Sequence, residues 1–139
     1  MRLIFLDIDG VMVTHNSITS WQADPACVAA LQKVINNSHP DIVISSLWKN
    51  MHGVNFPKVF KDWGLTDFNF IGITPSLRGD TIRGDEIRAW MDVNGTPDHF
   101  VIVDDEDDMA EFKPFLLQTN FRDGLTFDHA DRIIRLLRK

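Results

Sequence analysis

A single cysteine in 139 residues excludes any disulfide within the chain and fits a reducing compartment. Cys27 falls at helical spacing with Leu31, Val34 and Ile35, so it reads as a small apolar core residue. Positive charge is scarce too. Fourteen Lys and Arg face twenty Asp and Glu, the net charge is −6, and no global positive field is available to hold nucleic acid or an anionic membrane. A polyanion would have to be gripped locally. Long hydrophobic runs are missing: one arginine and four apolar residues precede Asp7, too few for a signal-peptide core, and no stretch approaches membrane-spanning length. A cytoplasmic protein is expected. There are no repeats, low-complexity tracts or linkers, and His15, His39, His52, His99 and His129 show no ligand spacing, so none is assigned to metal. What remains, 44% hydrophobic and 24% charged, predicts one globular domain over residues 1–139.

Apolar runs and helical patterns alternate along the chain. Leu3 to Leu6 reads as a buried strand, and Asp24-Pro25 as an N-cap with proline opening a helix to about Asn37. Asp41 to Ser46 predicts a second strand. Trp48 to Gly64 is interrupted by Gly53 and Pro57, with a short helix over Lys58 to Trp63. Asn69 to Ile73 is a third strand, and Thr81 to Val93 a helix with Ile87, Trp90 and Met91 on one face. Phe100 to Val103 is a strand running into DDEDD. A helix from about Asp107, a short strand at Phe115 to Gln118 and a helix capped by Thr126, with Ala130, Ile133, Ile134 and Leu137 as its stripe, complete the pattern.

Such alternation implies an α/β fold: a three-layer, Rossmann-like parallel sheet with helices on both faces. In these sheets the working site lies beyond the carboxyl ends of the strands. That rule gathers Asp7, Asp9, Ser45, Asp104 and Asp105 at one rim, because each follows an apolar strand. Carboxylates so crowded repel one another unless a divalent ion neutralises them, and oxygen-only ligands point to Mg2+.

Four apolar residues followed by Asp7-Ile8-Asp9-Gly10-Val11, Ser45 after the second strand, a basic residue at a helix start and Asp104-Asp105 after a later strand together resemble the haloacid dehalogenase-like phosphatase superfamily. The resemblance implies that Asp7 is a nucleophile forming an aspartyl-phosphate and that Asp9 is the general acid and base, its backbone carbonyl reaching the metal. Gly10 would allow the sharp turn close to substrate. Ser45 would bind the phosphoryl oxygens, with Ser46 as fallback; the alternative is a strand-end serine tied to backbone. Asp104 would ligate Mg2+, and Asp105 would touch it through water or orient a ligand. The alternative for DDEDD is an acidic first helical turn, the reading preferred for Glu106 and Asp107. The basic residue is open among Arg78, Arg83 and Lys113. Arg83 is chosen because the following GDEI and Trp90 resemble a helix of phage polynucleotide kinase-phosphatase, with the basic residue offset by one position.

The gaps Val11 to Asp24 and Thr74 to Arg83 are too short for a cap domain. An uncapped site suits a polymer end or a phosphoprotein better than a small metabolite. ISSLWK, GITPSLRGDTIRGDEIRAWM, FVIVDDEDDM and LLQTNFRDGLT resemble the haloacid dehalogenase-like domains of Swiss army knife RNA repair proteins. The resemblance implies a polynucleotide terminus as substrate, most naturally a 3′-phosphate, contacted by local groups such as Arg78, Arg83 and Lys49. Trp21, Trp48 and Phe56 fall near the rim and could stack bases, or simply fill the core. The alternatives are a small-molecule or nucleotide phosphatase, a catalytically idle domain of the same fold, and a phosphoryl-accepting signalling receiver; the last would carry its acceptor aspartate on a later strand.

Overall fold

The computed structural model describes residues 1–20, 22–51 and 53–138. Its centre is the strand β1 (Arg2–Leu6). Consecutive side chains of a strand point to opposite faces, and β1 has four buried residues in a row because both of its faces are covered. Ile4 and Leu6 enter one core; Leu3 and Phe5 enter another.

Around β1 lie β2 (Asp41–Ile44), β3 (Asn69–Ile73), β4 (His99–Asp104) and β5 (Leu116–Gln118), all parallel, in the order β3-β2-β1-β4-β5. The chain leaves β1 toward β2 on one side and returns to β4 on the other, which makes the carboxyl end of β1 the switch point where a crevice opens. The first face is covered by α1 (Pro25–Ser38), α2 (Phe56–Asp62) and α4 (Phe127–Arg138), through Ala30, Leu31, Val34, Phe60, Ile133 and Leu137. The second is covered by α3 (Arg83–Asn94), whose Ile87, Trp90 and Met91 meet Phe5 and Val43. Trp90 packs edge-on to Phe5 with ring centroids 5.4 Å apart. Each such aliphatic or aromatic side chain contributes roughly 1.5–3 kcal/mol by leaving water.

The expected α/β sheet with helices on both faces is what forms, and no cap domain sits over the rim among the described residues. Several boundaries differ for local reasons. The second strand stops at Ile44, because Ser46 leaves the ladder and accepts the Trp48 backbone N–H, capping a 3-10 turn at Leu47–Asn50. Pro57 begins a helix instead of breaking one: Asn55 caps α2 by accepting from the Lys58 N–H, and a proline in the first turn forfeits no hydrogen bond. No α-helix starts at Asp107. Asp104 accepts the Glu106 N–H, and a 3-10 segment, Ala110–Phe115, containing Pro114, leads into β5. Cys27 is buried, its Sγ donating to the Asp123 carbonyl at 3.6 Å, and burial pushes its thiol up to about 11, an inert core residue. No described helix is long and apolar enough to cross a membrane.

Candidate active site

The sheet's backbone ladder extends one residue past the strands, and this aligns the rim. Asp7 N–H donates to the Val103 carbonyl, Ser45 N–H to Leu6, Thr74 N–H to Ile44 and Thr119 N–H to Asp104. Thr74, Ser45, Asp7 and Asp104 therefore stand side by side. Asp7 is 4% exposed, and Ser45 and Asp104 are fully buried.

Three carboxylates converge here. Asp7, Asp104 and Asp105 each offer an oxygen, and these oxygens lie within 4.8 Å of one another. Burial raises the pKa of Asp7, opposed mainly by Arg83; burial and then repulsion from Asp7 raise that of Asp104. A cluster that resists ionisation by itself, built only of hard oxygen donors, fits a cation such as Mg2+.

Arg83 supplies positive charge from the opposite element. It is the first residue of α3, where side chains lean back past the N-terminus. Its Nη1 lies 2.7 Å from Asp104 Oδ2 and 3.2 Å from Asp7 Oδ1. Attraction to those two carboxylates outweighs burial and raises the guanidinium's pKa. Two glycines make the approach possible. Gly84 lies against the Met109 backbone, whose carbonyl oxygen a Cβ would meet at 2.4 Å. Gly10 turns the chain with φ +82°, and a Cβ there would strike the Asp105 carboxylate at 2.2 Å. Of the other basic candidates, Arg78 and Lys113 are exposed and, among the described residues, form no ion pair with the rim carboxylates.

The serine pair divides its work. Ser46 Oγ is occupied by the cap, whereas Ser45 Oγ is buried with no hydrogen-bond partner. An orphaned buried hydroxyl at a functional rim is a place prepared for something else to bond. Among the described residues Asp108 Oδ1 is the other such oxygen, and Asp108 Oδ2 accepts the Arg83 N–H at 3.4 Å.

Asp9 stands apart from the three clustered carboxylates. Its Oδ1 accepts a 3.0 Å hydrogen bond from the Trp48 indole N–H. Trp48 and Phe56 are 8% and 5% exposed, so neither offers a free stacking face; Trp21 lies outside the described residues. Lys49 also proves internal. Its Nζ binds Thr74 Oγ1 at 2.7 Å, the Pro75 carbonyl at 3.3 Å and Glu86 Oε1 at 2.8 Å, with the side chain 1% exposed. Glu86 Oε2 takes the Leu77 N–H, so this pair ties the loops after β2 and β3 to the first turn of α3. Lys49, expected from the sequence to contact a polymer, is thus turned inward onto these partners. Trp48, Gly84 and the Lys49–Glu86 pair are the parts the motifs did not reveal; a glycine within a predicted helix is the signal available for Gly84.

Residues 3–130 match the family model described as the HAD domain in Swiss Army Knife RNA repair proteins. No curated protein and no solved structure matches the chain.

Proposed function

Because the chain belongs to the family of HAD domains in Swiss Army Knife RNA repair proteins, we propose that it is a Mg2+-dependent phosphomonoesterase working through an aspartyl-phosphate on Asp7. The family supports a phosphatase-type hydrolase in general terms. The observation that carries the finer reading is the buried, unpartnered Ser45 hydroxyl one strand away from the Asp7 carboxylate. It is a donor waiting for an oxygen, beside a nucleophile.

In this reading a phosphate monoester enters at the open rim with one oxygen accepting from Ser45. A carboxylate oxygen of Asp7 bonds to phosphorus as the ester P–O bond breaks, and the departing oxygen takes a proton from Asp9. Water then attacks phosphorus and gives a proton to Asp9, the bond to Asp7 breaks, and inorganic phosphate leaves. Arg83 holds Asp7 in position and offsets charge gathering on the phosphoryl oxygens. Asp7, Asp104 and Asp105, with the Asp9 backbone carbonyl, would hold Mg2+, which when bound supplies charge neutralisation and orients the phosphoryl group.

The family's association with RNA repair proteins and the uncapped rim support a terminal phosphate on a polynucleotide, the 3′-phosphate in this reading. A second reading, a nucleotide or other small phosphoester, gains from the burial of Trp48, Phe56 and Lys49, which leaves Arg78 as the exposed cation of those expected to grip a polymer. Comparing kcat/KM for a 3′-phosphorylated oligonucleotide with that for the matching mononucleotide tests this. A higher value for the oligonucleotide is expected, since contacts to the chain help only if they stabilise the transition state. A better mononucleotide overturns the polymer reading and leaves the phosphatase. An inert protein with both, and with a generic aryl phosphate and Mg2+, overturns the phosphatase itself.

A further inference from the structure

Asp9 has a fixed partner. Trp48 reaches it from the 3-10 turn Leu47–Asn50, and Ser46 holds that turn by accepting the Trp48 backbone N–H. The ring itself is wedged edge-on against Trp63 of the α2 terminus, with centroids 6.2 Å apart. Trp48 therefore cannot swing away without disturbing the first core.

An indole N–H donates and never accepts. The oxygen facing Trp48 acts as an acceptor, and because the carbonyl oxygen of a carboxylic acid is a far better acceptor than its hydroxyl, a proton carried by this carboxyl is favoured on the other oxygen. Building on the phosphatase reading above, we propose that Trp48 is a positioning residue for Asp9: by holding Oδ1 it makes Oδ2 the atom that delivers a proton to the leaving oxygen and recovers one from water. The O–H bond at Oδ2 breaks as the ester P–O bond breaks, and reforms as the attacking water loses its proton. The ladder beside β1 thus sets the Ser45 hydroxyl, on the phosphoryl oxygens, and the turn that follows sets the acid, on the leaving group. A proton donor loose by even one rotamer would lose the alignment that proton transfer requires.

Trp48→Phe keeps the ring and removes the N–H, which separates positioning from core filling. With an alkyl phosphate, whose leaving group needs the proton, kcat is expected to fall roughly tenfold while KM moves little. With a dinitrophenyl phosphate, whose leaving group does not, the loss should be much smaller. In an Asp9→Asn background Trp48→Phe should cost almost nothing more, since both changes disable one device. Equal losses on both leaving groups, or additive losses in the double variant, would overturn the proposal while leaving the phosphatase standing. The contact also has a readout without turnover. The Trp48 indole N–H should exchange slowly with solvent by NMR, and Asp9→Ala should speed that exchange and move the resonance; an unmoved resonance overturns the contact whatever the activity.

Discussion

Arg83 Nη1 bridges Asp104 Oδ2 at 2.7 Å and Asp7 Oδ1 at 3.2 Å, so one guanidinium from α3 joins the carboxylates that end β1 and β4. Burial is what separates this bridge from a solvated helix charge: Arg83 is 13% exposed along its side chain, and Asp104 not at all. Arg83→Ala should lower kcat/KM on an aryl phosphate by about 10²- to 10³-fold, the magnitude seen when one charge-stabilising donor is lost. Arg83→Lys should recover part of it, a point charge replacing a fork. Steady-state kinetics of both variants checks this; wild-type activity in Arg83→Ala would remove Arg83 from the machinery and return Arg78 and Lys113 to consideration.

The carboxylate cluster makes stability depend on pH in an unusual direction. Asp7 is raised to about 6 and Asp104 to about 9, from an ordinary value near 3.8. The folded protein then binds more protons than the unfolded chain between those limits, so without metal its stability falls as pH rises through the window. In EDTA the Tm should drop from pH 5 to pH 8. Mg2+ should restore it, and more strongly at pH 8, because the ion binds the ionised form. Asp104→Asn should flatten the pH slope and abolish the Mg2+ response. Thermal denaturation followed by circular dichroism measures all three, and a Tm rising with pH in EDTA would contradict the assignment.

Asp7 and Asp9 should fail differently. Asp7→Asn removes the nucleophile and should end turnover and any trapped aspartyl-phosphate on every substrate. Asp9→Asn should cost about 10²- to 10⁴-fold on a poor leaving group and far less on an acidic one. Rates on a series of aryl phosphates decide between the roles; parallel losses would argue against them.

Gly10 is expected to tolerate nothing larger. Alanine would meet both an unfavourable φ of +82° and the Asp105 carboxylate at 2.2 Å. Gly10→Ala should destabilise the protein by about 1–3 kcal/mol and weaken Mg2+ binding by pushing Asp105 out of the cluster. Calorimetric titration with Mg2+ shows the second effect separately from the first, and unchanged affinity would place Asp105 outside the metal's reach.

Much of this was legible in the chain. The continuous apolar run Leu3 to Leu6, the Asp24-Pro25 cap and the alternation of strands with helices specify a parallel sheet, because period and capping are local physics written in adjacent residues. Each acid follows directly on such a strand, so its place at the rim was determined as soon as the sheet was. Partnership was not. Among Arg78, Arg83 and Lys113 the sequence favoured Arg83 by resemblance alone; what distinguishes it physically is that it opens α3 with Gly84 behind it, pressed against the Met109 backbone, where its fork spans two strands that are neighbours only in space. Lys49, expected to contact a polymer, and Trp48, open between stacking a base and filling the core, are buried for the same reason: an ammonium and an indole N–H are stable when buried if a carboxylate meets them, and Glu86 and Asp9 come from elements far away along the chain. Backbone pattern depends on near neighbours and can be read from the sequence, whereas the choice of which charges are solvated and which are paired is made by packing between distant segments, and only the tertiary structure decided it.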